Sequence, residues 1–201
     1  SENHYHMTTT TAQAANVLSH LEYYLQIVWP ELNVNVVSST EQWAGAAIAG
    51  PKSRDMLAKL FPNLDVSNEA LPFMGYKEDQ LFGVPAKIFR ISFSGELAYE
   101  VNVESDNGMF MWEKMMEIGE EFGNQPYGTE ALSTLRIEMG HVAAPELDGR
   151  TIPADVSLDG LVSKKKDFIG KNSLKRTAFN EANRQKIIGL VPTDRKSSIP
   201  E

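Results

Sequence analysis

No cysteine occurs in the 201 residues. That absence excludes disulfides, thiolate nucleophiles and cysteine-ligated zinc, and it suits a reducing interior, so a cytoplasmic location is expected. Apolar runs are short. None approaches the ~20 residues a membrane-spanning helix needs, and no signal peptide is visible, so no membrane association is expected. Histidine is scarce, at four residues. His4 and His6 lie two apart on a strand-like stretch and can share a face, but no third ligand lies nearby in sequence. No metal is expected, and surface or substrate-lining roles are the default. Positive charge is outweighed: 19 Lys and Arg against 27 Asp and Glu give a net charge of -8, with a pI of about 5.1. That balance argues against a nucleic-acid partner. A phosphate-cradling loop is missing too. Gly50 stands at a strand-to-helix turn, but AIAGPKSRD has neither repeated glycines nor a Lys-Ser/Thr ending, and it reads as a connector.

What is present suffices for an ordinary core. With 42% hydrophobic and 23% charged residues, the chain can form one large domain or two small ones. Its organising stretch is IFRISFSGELAYEVNV, Ile88 to Val103. Alternation predicts two strands joined by a tight turn at Ser94-Gly95, with Phe89, Ile91 and Phe93 on one face of the first arm. In the second arm Leu97, Tyr99, Val101 and Val103 alternate with Ala98, Glu100 and Asn102. Glu100 is the oddity, a carboxylate in mid-strand on the face opposite Tyr99 and Val101. Pattern alone leaves two readings open. It faces water, or it is a rigidly held acceptor for a planar edge with two N–H donors, such as a guanidinium or the amino-pyrimidinone side of a pterin.

Along the chain, His4 to Thr11 reads as a strand, and Ala12 to Trp29 as a helix with Val17, Leu18, Leu21, Leu25 and Val28 on one buried stripe, ended by Pro30. Strands follow at Asn33–Ser38 and Trp43–Ala49, then a helix at Pro51–Phe61. Residues 62–83 read as a long irregular stretch covering a cleft or packed under a loop. Helices are predicted at Asn107–Phe122, with Phe110, Met111, Met115, Ile118 and Phe122 inward, and at Thr129–Met139 after Gly128. Two strand-strand-helix units result, at 33–61 and 84–122. They predict an α+β fold of antiparallel sheets with helices on one face. Beyond His141 regular structure thins. Lys164-Lys165-Lys166 is read as a solvated turn or a spot for acidic groups, Phe168–Arg176 as a helix start and Lys186–Val191 as a strand. The first residue is Ser1 and the last residues are IPE, so a fragment is expected.

Six segments together resemble the folate-binding aminomethyltransferase family, typified by the T-protein of the glycine cleavage system. They are HMTTTT at 6–11, TEQWAGAAIAGPKSRDML at 40–57, RISFSGELAYEV at 90–101, YGTEALSTLRIEMGH at 127–141, DGRTIPADVSLDGLVSKKKDFIGK at 148–171 and IIGLVP at 187–192. Within that family they look most like the C-terminal region of the alpha subunits of heterotetrameric sarcosine oxidases. The resemblance implies a partial folate-binding core over residues 1–160. Over 161–201 it implies a basic turn, helix, linker and strand leading to a barrel domain that this chain lacks.

It also implies a function. The folate-binding portion of such an oxidase captures the one-carbon unit of an oxidised N-methyl amine on tetrahydrofolate, giving 5,10-methylenetetrahydrofolate. A glutamate matching Glu100 grips the pterin, Phe93 falls at a family aromatic that can wall it, and Thr8 and Thr9 supply polar contacts. Thr9 stands where the family has asparagine, Leu132 where it has arginine and Ala144 where it has tyrosine; Arg136 matches a structural-looking arginine. The family's catalytic aspartate lies upstream of the region matched, so no catalytic residue is assigned and the chain alone is expected to be inactive. FAD or FMN and NAD belong to other parts of such an enzyme. Implied partners are folate and the oxidase's other subunits, and a homodimer through exposed apolar surface is allowed. The alternatives are a glycine-cleavage aminomethyltransferase acting on a lipoyl carrier, and a non-catalytic assembly module.

Overall fold

The alternation of the second arm settles, over Ala98 to Glu104, into an inner strand of a four-stranded antiparallel sheet. The structure, a computed structural model, describes residues 2–194. Its strands are β1 (Trp43–Ala49), β2 (Tyr76–Leu81), β3 (Val84–Phe89) and β4 (Ala98–Glu104), ordered β1-β4-β3-β2. Period-two pleating sends Tyr99, Val101 and Val103 to one face, where all three are fully buried. Ile88 and Ala86 of β3 and Ile48 of β1 join them. Against this face lie helices α2 (Ser53–Leu60) and α3 (Gly108–Gly119), which contribute Met56, Leu57, Leu60, Met111 and Met115. The opposite face of the sheet carries Glu100 and Asn102.

The expected mixture of helices and antiparallel strands is present, with the helices α2 and α3 on one face. The pairing differs in detail. Residues 33–38 form no strand, so one strand rather than two precedes α2. Val34 and Val37 are exposed and find no neighbouring edge. His4 to Thr10 likewise lacks a ladder partner. The expected tight turn at Ser94-Gly95 is a wide loop, because β3 ends at Phe89, paired with Glu100. Ile88, not Phe89, faces the helices, which reverses the face expected for the first arm.

The tight hairpin lies one strand earlier. Leu81 pairs with Val84, and the two residues between them, Phe82 and Gly83, have φ of 49° and 91°, as a type I′ turn requires. Phe82 is strained there, since a Cβ in the left-handed region costs about 1–2 kcal/mol. Phe82→Asn is therefore expected to raise stability by roughly 0.5–1 kcal/mol, asparagine tolerating that conformation far better. Urea unfolding would measure it.

Helix α1 (Ala14–Tyr23) continues as a π-helical turn, Tyr24–Val28. None of its residues is fully buried, so the apolar stripe expected to enter a core does not do so. Helix α3 lies within its predicted span and runs on into a 3-10 turn, Glu120–Phe122, which Gly123, at φ 72°, ends in the left-handed conformation. Among the described residues no helix is long and apolar enough to cross a membrane.

A second compact unit comprises, among the described residues, 93–95 and 127–194. Its one α-helix among the described residues is α4 (Thr129–Met139), capped by Gly140 at φ 81°. Polar clamps replace a large apolar core. Arg136, 7% exposed, donates to the Glu146 carboxylate at 2.8 Å and to the His141 carbonyl at 3.1 Å, in keeping with a structural role. Asp155, 8% exposed, accepts from Arg184 Nε at 2.9 Å and Ile152 N–H at 3.0 Å. The Arg184 Nη2 also donates to Asp155. The helix expected at Phe168–Arg176 is instead two 3-10 turns, Ser173–Lys175 and Thr177–Phe179, with Arg176 extended between them. The strand expected at Lys186–Val191 is irregular, tied by one bond from Ile187 N–H to the Asp155 carbonyl.

These clamps set an acid limit. Hydrogen bonds from Arg184, then from Ile152 N–H, hold the Asp155 carboxyl at about 2. Hydrogen bonds from Arg150 place Asp148 at about 2 as well. A depressed carboxyl contributes stability above its unfolded value near 4, and that contribution is lost as pH falls toward 2. Asp155→Asn is expected to destabilise this unit at pH 7 and to flatten its unfolding profile between pH 4 and 2, as circular dichroism would record.

Candidate functional site

Register brings the unusual residues of the outer sheet face into rows. Glu100 lies between Ala47 of β1 and Phe89 of β3, and Asn102 lies between Gly45 and Lys87. Small residues on β1 therefore leave the sheet floor open beside both polar side chains. Over this floor sits a cavity of about 400 Å³, within the range of small-molecule sites. Val17, Leu18 and Leu21 of α1 form its apolar wall, and Thr8, Thr9 and His6 line it from the N-terminal segment. These three stripe residues thus face a hollow, which explains why none of them is fully buried.

Glu100 is half-buried, and among the described residues its carboxylate has no hydrogen-bond or ion-pair partner. Burial raises its carboxyl above the ordinary glutamate range, because desolvation penalises the charged form. An unpaired carboxylate on a rigid strand beside a cavity is poised to accept N–H donors from a ligand. Around it the chemistry is aromatic and weakly basic. Lys87 Nζ stands 3.9 Å from the centre of the Trp43 ring, a cation–π contact. His6 lies 6.3 Å from the rings of both Trp43 and Phe89. Its pKa is held down by burial, then by Lys87 and His4, which favours the neutral imidazole at pH 7.

Of the residues singled out from the sequence, Glu100, Thr8 and Thr9 line this one cavity. Thr9 spends its hydroxyl proton on the Thr10 carbonyl, 3.0 Å away, leaving the oxygen as an acceptor. Phe93 belongs to the second unit and stacks on His141 with ring centres 5.7 Å apart. Trp43, Gly45 and Asn102 also line the cavity, without a local pattern that marks them. An aromatic at a strand start and an asparagine in an alternating pattern carry no ligand signal singly; only register joins them.

The class so defined is an α+β domain with a sheet whose inner face carries the core and whose outer face sets an unpaired carboxylate beside a cavity. Residues 1–166 match the GCVT N-terminal domain, and the chain belongs to that family. It is 46% identical over 200 residues to the sarcosine oxidase subunit alpha of Rhizobium meliloti (strain 1021), covering 98% of this chain and 20% of that subunit. It is 45% identical over 196 residues to the corresponding subunit of Corynebacterium sp. (strain P-1), with 96% and 20% covered. An aminomethyltransferase of Bacillus cereus (strain AH187) is 32% identical over 167 residues, 81% of this chain and 44% of the relative. The chain thus spans about a fifth of the length of the sarcosine oxidase subunits it resembles.

Proposed function

We propose that this chain is the folate-binding portion of a sarcosine-oxidase-type alpha subunit, and that Glu100 holds the donor edge of the folate's pterin. The observation that carries the proposal is the unpaired, half-buried carboxylate on the cavity floor. A reduced pterin presents an amino group and a ring N–H side by side, which two carboxylate oxygens accept in parallel. The surroundings suit such a ring. Cavity size, the open floor at Gly45, the α1 apolar wall and the threonine rim match a flat heterocycle with polar edges.

When bound, tetrahydrofolate supplies the amine nitrogens that accept a one-carbon unit. This chain's residues bind and orient it. Glu100 fixes the ring by its edge, the threonine hydroxyls satisfy polar atoms at the rim, and Val17, Leu18 and Leu21 exclude water from one side. Excluding water keeps the one-carbon unit from being hydrolysed to formaldehyde before capture. Oxidation of the N-methyl amine at a flavin, and the partner subunits, belong to the parent enzyme.

The test is the partition of product. In the parent enzyme, Glu100→Gln should leave sarcosine oxidation unchanged at saturating oxygen while diverting carbon from 5,10-methylenetetrahydrofolate to free formaldehyde, at a limiting folate concentration. An unchanged partition would sink the proposal. The rival reading, a glycine-cleavage aminomethyltransferase, is supported by relatives at 32% identity against 46% for the oxidase subunits. Thr9 and Leu132 also depart from its pattern.

A further inference from the structure

Asn102 and Gly45 sit directly opposite each other on neighbouring strands, and each is a poor choice for a strand taken alone. Asparagine is depleted from strands, and a glycine in a strand interior loses both packing and entropy. Two local rules broken at one register position suggest a requirement other than sheet stability. The geometry names that requirement. A Cβ built on Gly45 would come 2.5 Å from the Asn102 side-chain oxygen and 3.4 Å from its Cγ, so the amide lies across the backbone of β1 at that point. Gly45 has no positive φ, which excludes a backbone need for glycine. Its role is to leave the amide room.

The amide placed there lines the cavity together with Glu100. The two side chains are two residues apart on one strand face, roughly 7 Å along it. Asn102 is half-buried, and among the described residues its side-chain amide has no hydrogen-bond partner. An amide offers both a donor and an acceptor, so it can serve a ring carbonyl or a ring N–H next to whatever edge Glu100 holds. We infer that Asn102 is a second ligand-contacting residue of this site, and that Gly45 is present so that the amide can lie flat on the floor and reach the bound heterocycle. This rests on the folate reading of the cavity and extends it by naming a specificity-determining pair.

The experiment is calorimetric titration of the parent enzyme with tetrahydrofolate in five forms: wild type, Glu100→Gln, Asn102→Leu, Gly45→Ala and the Asn102→Leu/Gly45→Ala double variant. Asn102→Leu, similar in size and without polar atoms, should weaken binding about 3- to 10-fold, the range for one neutral hydrogen bond. Gly45→Ala should weaken it comparably by displacing the amide, yet cost nothing further in the Asn102→Leu background. Such non-additivity identifies the shared contact. Thermal melts report folding, and Asn102→Ala replaces the leucine variant if that one melts early. If Glu100→Gln weakens binding while Asn102→Leu and Gly45→Ala bind as wild type does, the inference is overturned and the folate reading stands. If Glu100→Gln also binds as wild type does, the reading itself fails and this inference with it.

Discussion

Glu100→Gln in the parent enzyme should reduce tetrahydrofolate affinity about 10- to 100-fold, the loss expected when hydrogen bonds to a charged acceptor are replaced by weaker ones. Glutamine is nearly isosteric, but it turns one acceptor oxygen into a donor that faces the ligand's own N–H. The same substitution should leave the free protein as stable as before, or slightly more so. Burial without a partner raises the Glu100 carboxyl. A group raised on folding contributes stability that is complete below its unfolded pKa and lost as pH rises through its folded value. Above that folded value the ionised carboxylate has already lost it, so removing the charge there takes nothing further away. Binding responds to pH in the opposite sense. A ligand offering donors needs the ionised form, so wild-type affinity should fall as pH drops through the raised pKa, while the glutamine variant stays flat. Titration calorimetry at several pH values, with thermal melts of the free protein, reads both effects.

Leu57→Ala should do the reverse. Leu57 is fully buried between α2 and the sheet, and truncating a core leucine costs about 2–5 kcal/mol through lost burial and the cavity left behind. No atom of Leu57 reaches the outer sheet face, so at temperatures where the variant stays folded its folate affinity should match the wild type. Urea unfolding supplies the first measurement and calorimetry the second. Together the two substitutions separate the faces of one sheet: the inner face carries stability, the outer face carries recognition.

That division was half legible in the sequence. Strand β1, helix α2 after Gly50-Pro51, and α4 after Gly128 lie close to where the sequence places them. The β2–β3 hairpin was hidden because Phe82 occupies a turn position usually marked by Asn or Asp. The face assignment of β3 was ambiguous for another reason. Ile88 and Phe89 are adjacent and both apolar, and the contact with α2 and α3, which no local pattern encodes, puts Ile88 inside. Glu100 stood out because a carboxylate interrupts a strong strand. Asn102 and Gly45 did not, since their meaning comes from facing each other across two strands more than fifty positions apart. The α1 stripe illustrates the same limit: periodicity reports an apolar face, not whether a core or a hollow lies beneath it.

The account's central claim is that a half-buried carboxylate on β4 receives a pterin. A crystal structure of the parent enzyme with tetrahydrofolate tests it most directly. The account predicts both Glu100 carboxylate oxygens at about 2.7–3.1 Å from adjacent pterin nitrogens, with the ring over Gly45 and Ala47 beside α1. A pterin bound elsewhere, with Glu100 hydrated and the cavity filled by water alone, would contradict it.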